Sequence, residues 1–296
     1  MSCFMLAYID RPSPIHALSG SVKLVVFLLW SVLTMISYET PVMLAMSALG
    51  LLLFFISGTK LREVSFIFKM LFLFMVLNLA GIYLFAPEQG VAIYRSRHLI
   101  SRGFGRYTLT WEQLFYEFNV MLKYLMVIPA AILLLVTTHP SEFAASLNRI
   151  GVNYAIAYAV SLTLRYIPDV QRDYQDISLA QQARGVELSR RVSWIKRLKG
   201  AARILLPLIF SSLERIDVIS HAMELRGFGK HKKRTWYHDR PFTGRDIVVL
   251  IFTALLFILG LYLTFRDGSR FYFFLPRMFR PQIPIQVPTD FAVSII

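Results

Sequence analysis

Long apolar runs constrain this chain more than any other feature of its sequence. The hydrocarbon core of a bilayer is about 30 Å thick, and a helix of roughly 20 apolar residues crosses it. Hydrophobic residues make up 56% of the 296 positions and charged residues only 17%, below the roughly 25% of soluble domains. We therefore predict an all-α membrane protein with a bundle of about five transmembrane helices, within a range of four to six or more. The predicted spans lie near residues 22–37, 41–57, 66–86, 119–138 and 246–265. Lys23, at one end of the first span, is expected to extend its amine to the membrane surface.

The positive charge of the chain is concentrated in one long polar region between the fourth and fifth predicted spans. Residues 139–245 hold 18 Lys and Arg against 9 Asp and Glu, within a chain of net charge +14. Because basic segments next to a membrane stay on its cytoplasmic side, we expect this region in the cytoplasm. The predicted domains are an N-terminal membrane bundle (1–138), this polar region (139–245), and a C-terminal span with its tail (246–296).

Counting spans backwards from the polar region assigns sides to the earlier loops. The N-terminus and residues 58–65 then lie inside, and residues 87–118 lie outside. Residues 151–167 are apolar enough for a further short span, but Arg165 and the modest length favour a helix at the interface or packed on the bundle. Four arginines of the 87–118 loop disfavour its outside assignment: Arg95, Arg97, Arg102 and Arg106.

The residues that usually carry enzyme or metal chemistry are sparse or scattered. The single Cys3 excludes an intramolecular disulfide and a cysteine-based zinc site. The carboxylates of Asp169 and Asp173 share a helical face, and this pattern favours a solvated surface over a metal site. Gly229-Lys230 resembles the Gly-Lys pair of a phosphate-binding loop, but that loop also needs a glycine five residues earlier, and this chain has Glu224 there. The six histidines show no His-Glu-x-x-His pattern; they stand at 16, 98, 139, 221, 231 and 238. We therefore expect no catalytic residue, no bound metal and no cofactor bound directly.

A basic run lies shortly before the last predicted span. Residues 230–234 are followed by Trp236 and Tyr237. Basic residues with neighbouring aromatic rings fit contact with anionic lipid head groups. We expect the lipid bilayer as a partner of this segment, and no nucleic acid.

Two segments of the polar region carry nearly the same octet. Residues 178–185 and 220–227 both fit Ser-x-Ala-x-x-x-Arg-Gly. In each, an alanine (Ala180 or Ala222) precedes the arginine by one turn on the same helical face, so a partner surface could approach the guanidinium closely and accept a bidentate hydrogen bond. An arginine before a glycine is also an ordinary helix end. Its duplication favours docking on a partner that is present in two copies.

Apolar periodicity predicts an amphipathic helix before each Arg-Gly pair. The first is expected to begin at Pro168, since proline suits the first turn of a helix, and its apolar stripe is Val170, Tyr174, Ile177 and Ala180. The second has apolar or small residues at spacings of 3, 4, 3, 4 and 3, typical of a seam for another helix: Leu206, Ile209, Leu213, Ile216, Ser220 and Met223. Each helix is expected to end at its Arg-Gly pair.

Further motifs accompany the two Arg-Gly helix ends, and together they resemble a known family. They are Thr137–Phe143, Ser146–Val152, Leu164–Pro168, Ala183–Gly185 and Leu225–Phe228. This set, in this order, resembles the transmembrane T component of energy-coupling-factor transporters, the family that includes cobalt, biotin and shared vitamin-uptake modules. The N-terminal Ser13–Leu18 is similar to the signature of that family, although Ser19-Gly20-Ser21 stands where the family usually has Asp-Pro-Arg.

The resemblance implies a non-catalytic coupling subunit of an importer for a vitamin or a transition-metal ion. Its implied partners are two ATP-binding-cassette ATPases, which bind the ATP, and a small substrate-binding membrane protein, the S component. Its implied location is the plasma membrane of a prokaryote, crossed several times, with a cytoplasmic coupling domain of crossing amphipathic helices. The implied ATPase-coupling residues are Ala183, Arg184, Gly185, Leu225, Arg226 and Gly227, with Ala180, Ala222, Leu213, Ile216 and Met223 as a supporting helix face.

Two other classes of protein remain open at the level of the sequence. A substrate-translocating permease of a conventional ATP-binding-cassette importer would also dock ATPases through cytoplasmic helices, but it usually offers one coupling helix per subunit. A membrane-embedded enzyme would need clustered catalytic groups near the membrane. The doubled octet favours the T component over both.

Overall fold

The computed structural model describes residues 13–94, 96–101, 107–186, 193–230, 235–236 and 240–266, with the backbone alone for residues 61–63. This part of the chain is almost entirely helical. Its elements are α1 (Gly20–Ile36), α2 (Thr40–Ile56), α3 (Leu61–Phe85), α4 (Gln89–Tyr94), β1 (Leu99–Ser101), β2 (Leu109–Thr110), α5 (Trp111–Thr137), α6 (Pro140–Arg149), α7 (Tyr154–Ala183), α8 (Trp194–Leu225) and α9 (Gly244–Phe265).

The chain divides into two compact units. The membrane unit contains the described residues up to Thr138 and from Phe242 onward, and the polar unit is His139–Pro241. The last apolar helix belongs to the same compact unit as the N-terminal bundle, although the polar region separates the two in sequence.

Five apolar helices occupy the predicted spans. Three of them, α5, α9 and residues Val64–Phe85 of α3, are long and apolar enough to cross a bilayer, and α1 and α2 are shorter apolar helices of 17 residues each. Seventeen residues is the lower limit for a span. The chain is thus an all-α membrane protein, as predicted.

The expected bounds of the fourth span are wrong at one end. The helix α5 begins at Trp111 rather than at residue 119, because Thr110 caps it by accepting a hydrogen bond from the backbone N–H of Gln113. Thr at an N-cap satisfies one of the first free N–H groups of a helix. The other four spans begin or end within five residues of their expected bounds.

The central helix of the membrane unit is α5, which packs against α1, α2, α3 and α4. One apolar cluster joins Trp30 of α1 and Met46 of α2 to Met126 of α5, where the Trp30 indole N–H also donates to the Met126 carbonyl at 2.9 Å. A second joins Phe54 of α2 to Ile132 of α5. The helix α9 packs on α1 and α2, so the C-terminal helix completes the bundle.

The interpretation of Lys23 as a residue whose amine reaches the membrane surface is wrong. Its side chain is buried, and its amine donates to the carbonyl of Thr137, at the end of α5, at 2.7 Å. Asp246 is also buried here; it accepts from the backbone N–H groups of Ser19 and Thr243 and interacts electrostatically with Lys23. The charged groups thus connect α1, α5 and α9 within the bundle.

The predicted loop 87–118 contains ordered structure, with α4, a two-stranded antiparallel hairpin and the first turns of α5. Its Arg97 forms an ion pair with Glu88 at 3.0 Å. Arg95, Arg102 and Arg106 lie outside the described residues.

In the polar unit, α6 packs on α7 and α7 packs on α8. The expectation that a helix begins at Pro168 is wrong: α7 begins at Tyr154, where Asn153 caps it, and Pro168 lies inside it. The apolar residues 151–167, whose placement the sequence left open, therefore form most of the first half of α7.

The end of the polar unit returns to α6, where the Trp236 indole N–H donates to Asn148 at 3.3 Å. Residues 231–234 of the basic run lie outside the described residues.

Candidate functional site

The two Arg-Gly segments form helix ends with the same backbone conformation and the same terminal hydrogen bonds. Arg184 and Arg226 are the C-cap residues of α7 and α8, with φ and ψ of −86° and 12° and of −82° and 6°. Gly185 and Gly227 follow with φ of 81° and 65°. This left-handed conformation favours glycine because it has no Cβ.

The backbone hydrogen bonds of the two ends also correspond. The N–H of Gly185 donates to Gln182 and that of Gly227 to Glu224, at 2.9 and 2.8 Å. The next N–H, of Val186 or Phe228, donates five residues back to Gln181 or Met223, at 3.0 and 2.9 Å. This pair of bonds defines the Schellman motif, which gives partners to carbonyls that the helix leaves free. Two helix ends with one backbone geometry present their arginines in the same way.

The predicted docking residues lie largely on the surface of the polar unit. Arg184, Arg226 and the two alanines one turn before them are exposed, and Leu225 is 90% exposed. Single exposed apolar side chains are normal on protein surfaces, so this exposure shows accessibility alone. The residues are therefore accessible to a partner at both ends.

The residue after each Arg-Gly pair turns back into the unit and is covered. Val186 is buried. The ring of Phe228 lies 4.8 Å from that of Tyr158 and 5.9 Å from that of Tyr154, both near the start of α7. An apolar contact of this residue commonly accompanies the Schellman motif. It fixes the direction in which the chain leaves each arginine.

An ion pair between α7 and α8 was not predicted from the sequence. The guanidinium of Arg215 donates to Asp173 at 2.6 Å and lies 5.9 Å from the ring centroid of Tyr166. Sequence reasoning assigned Asp173 to a solvated face of α7. Together with the Tyr158–Phe228 contact, the pair shows that the two helices run antiparallel, since the α8 partner number falls as the α7 number rises.

The predicted apolar seam of α8 is not the face that packs on α7. Leu206, Ile209, Leu213 and Ile216 are each more than half exposed, whereas Met223 is partly buried. The face turned towards the unit lies beside the seam and contains the ion-paired Arg215. Ala201, Ile204, Leu208 and Ile219 are among the partly or fully buried residues of this face. Leu213 and Ile216, predicted to support the docking site, thus lie on an open apolar stripe.

Within the part of the chain that the structure describes, no cluster of three or more His, Cys, Asp or Glu side chains could hold a metal ion. Two carboxylates of α7 are instead engaged with arginines. Asp169 lies 3.7 Å from Arg172 on the same helix, and Asp173 pairs with Arg215.

Comparison with known proteins places the chain in a family. The family model described as CbiQ, cobalt transport protein, matches residues 11–237. Three similar proteins are each an energy-coupling factor transporter transmembrane protein, EcfT. The protein from Lactococcus lactis is 26% identical over 261 residues, covering 85% of this chain and 94% of the relative. That from Heliobacterium modesticaldum is 27% identical, with 85% and 94% covered, and that from Streptococcus equi is 29% identical, with 86% and 93% covered.

The chain belongs to this family, the energy-coupling transmembrane components of energy-coupling-factor transporters. The resemblance drawn from the sequence motifs is confirmed. The alternative of a conventional importer permease is not favoured by these matches. The matched region includes both Arg-Gly helix ends and the helices that carry them.

Proposed function

We propose that Arg184 and Arg226 each dock on one of two cytoplasmic ATP-binding-cassette ATPases, which bind and hydrolyse the ATP. The chain then transmits the closing motion of the ATPase pair to a small substrate-binding membrane subunit, which carries a vitamin or a transition-metal ion. The chain itself has a mechanical and not a catalytic role. It resides in the plasma membrane of a prokaryote, with the polar region 139–245 in the cytoplasm.

One observation carries this proposal: two exposed arginines stand on two helix ends with the same backbone geometry. A helix end of this kind presents a guanidinium beyond the last turn. Guanidinium groups form bidentate, charge-assisted hydrogen bonds with carboxylates. Since the geometry is duplicated, the fitting partner offers the same acceptor twice, as two copies of one kind of ATPase would.

The supporting residues have roles that follow from their positions. Ala180 and Ala222 lie one turn before the arginines and leave room for a partner surface. Ala183 and Leu225 directly precede the caps, and Leu225 is almost fully exposed. We propose that Leu225 inserts into an apolar part of the ATPase groove. The open stripe with Leu213 and Ile216 and the partly buried Met223 provide the supporting face, and the apolar helices of the bundle hold the substrate-binding subunit.

Charge reversal of the two arginines tests the docking. We expect Arg184→Glu or Arg226→Glu to weaken copurification of the ATPases, and the double variant to abolish it. Loss of a buried interfacial arginine contact typically costs about 2–5 kcal/mol. The measurement is affinity purification of the tagged chain from native membranes, with quantification of the ATPases that accompany it.

A matched control separates docking from net charge. Arg172→Glu with Arg203→Glu makes the same change of charge on α7 and α8 at exposed arginines away from the helix ends. The control should retain the ATPases. If the Arg184/Arg226 double variant copurified with its ATPases at the wild-type level, or if the control lost them equally, the docking role would be wrong.

A further inference from the structure

The two Arg-Gly helices are related by a constant offset in sequence. The octets at 178–185 and 220–227 lie 42 residues apart, and so do Leu164 and Leu206, Ile167 and Ile209, and Ile177 and Ile219. Positions 42 residues apart in α7 and α8 therefore correspond, through to the Schellman ends.

The ion pair between the two helices joins residues with this same offset. Asp173 and Arg215 are 42 positions apart, and their side chains meet at 2.6 Å. If two antiparallel helices correspond position by position, a local two-fold axis exchanges them. That axis passes through the point where a residue contacts the residue at the corresponding position of the other helix. Each Arg-Gly end then lies at the same distance from that point, because 11 residues separate Asp173 from Arg184 and 11 separate Arg215 from Arg226.

The length of the two segments sets the separation of the two arginines. Eleven helical residues span about 16 Å, so straight helices would place the two arginines up to about 33 Å apart, facing opposite ways.

We infer that the Asp173–Arg215 ion pair is the pivot of the two Arg-Gly helices. It positions the two arginines symmetrically for a partner that itself has two-fold symmetry. The two residues are positioning residues, which act through the helix ends and do not contact the partner. This inference rests on the proposed docking of two ATPases and adds the part of the chain that sets the angle between the docking ends.

The location of the pair suits a pivot. Its side chains are 27% and 32% exposed, so water solvates the pair and it forms and breaks more easily than a fully buried one. Each helix has a proline on the N-terminal side of the pair, Pro168 in α7 and Pro207 in α8. Proline removes one backbone hydrogen bond of a helix. Both helices can therefore bend beside the pivot while their C-terminal halves, which carry the arginines, move as rigid segments.

The distance between the two helix ends tests the pivot without any ATPase. Spin labels are attached to Leu179→Cys and His221→Cys, two exposed positions with the offset of 42, in a Cys3→Ser background that has no other cysteine. The distribution of distances between them is measured by pulsed electron paramagnetic resonance on the purified full chain. With the native pair we expect one narrow distribution. Asp173→Ala or Arg215→Ala should broaden and shift it.

Two further variants make the test specific. The exchange Asp173→Arg with Arg215→Asp restores the pair with its charges reversed and should restore the narrow distribution. The control Asp169→Ala with Arg172→Ala removes an ion pair of the same kind that lies within α7 alone and should leave the distribution unchanged. An unchanged distribution in the two single alanine variants, or no recovery in the exchanged variant, would overturn the inference.

The outcomes separate this inference from the proposed function. If the single variants change the distance while the Arg184/Arg226 charge reversal leaves ATPase binding intact, the pivot stands and the docking role falls. If the charge reversal abolishes binding while the single variants leave the distance unchanged, the docking role stands and the pivot falls.

Discussion

Among single residues, the proposed docking depends on two glycines as much as on two arginines. Gly185 and Gly227 hold φ values of 81° and 65°, and through them the chain turns away directly after each guanidinium. A residue with a Cβ is strained in this region. The terminal hydrogen bonds that follow each glycine then set the direction of the arginine that precedes it.

We therefore expect Gly185→Ala to loosen the end of α7. The left-handed conformation costs an alanine about 1 kcal/mol, so hydrogen exchange at the Val186 N–H, which donates to Gln181, should rise about fivefold. Asn tolerates this conformation at helix ends, and Gly185→Asn should change the rate much less. Hydrogen exchange followed by mass spectrometry measures both, and equal rates in the two variants would contradict the argument.

At the scale of elements, close approach between backbones determines how the 87–118 segment attaches to the bundle. A Cβ at Gly90 would lie 2.4 Å from the carbonyl oxygen of Glu112 and 2.7 Å from the Cα of Gln113. The Gly90 N–H also donates to the Gln113 side chain at 2.9 Å. The helix α4 packs on α5 at this distance only because residue 90 has no side chain.

Gly90→Ala should consequently destabilise the membrane unit. Overpacking a tight contact typically costs about 1–3 kcal/mol, and here the contacting atoms belong to the backbone and cannot rotate away. Gly81→Ala is the matched control, since Gly81 lies inside α3 and a Cβ added there would meet no neighbouring atom within 4 Å. In the interior of a helix, alanine is more favourable than glycine by about 1 kcal/mol. Thermal unfolding in detergent should show a lower Tm for Gly90→Ala and an equal or higher one for Gly81→Ala.

At the scale of the whole molecule, the charge distribution predicts which parts of the chain face the cytoplasm. Residues 139–245 carry 18 basic side chains against 9 acidic ones, and basic segments remain on the cytoplasmic side. The four arginines in 87–118 give the contrary signal, which makes the side of that segment the critical test.

Cysteine labelling tests this topology. In the Cys3→Ser background, Ser101→Cys and Leu179→Cys place single thiols at exposed positions of the 87–118 segment and of the polar unit. A membrane-impermeant maleimide added to intact cells should label the first, and it should label the second only after permeabilisation. Labelling of both after permeabilisation shows that each thiol is accessible. Labelling of Leu179→Cys in intact cells would contradict the cytoplasmic placement.

Features that depend on local chemistry could be predicted from the sequence. Apolar runs of sufficient length specify helices in a membrane, and an Arg-Gly pair after an amphipathic stretch specifies a helix end. The ends of α7 and α8 accordingly lie where the sequence indicated, at Ala183 and Leu225. The family resemblance also followed from short motifs in a fixed order.

Contacts between groups that are distant in sequence could be found only from the packing of the folded chain. The sequence placed the amine of Lys23 at a membrane surface, but the carbonyl end of α5 and Asp246 surround it in the bundle. The sequence predicted a helix that begins at Pro168. In the structure α7 continues through that residue and packs against α6 and α8. Periodicity selected the apolar seam of α8, yet the neighbouring face with Arg215 packs on α7. The physical reason is that periodicity defines the faces of a helix, whereas long-range packing and charge pairing select the face that is used.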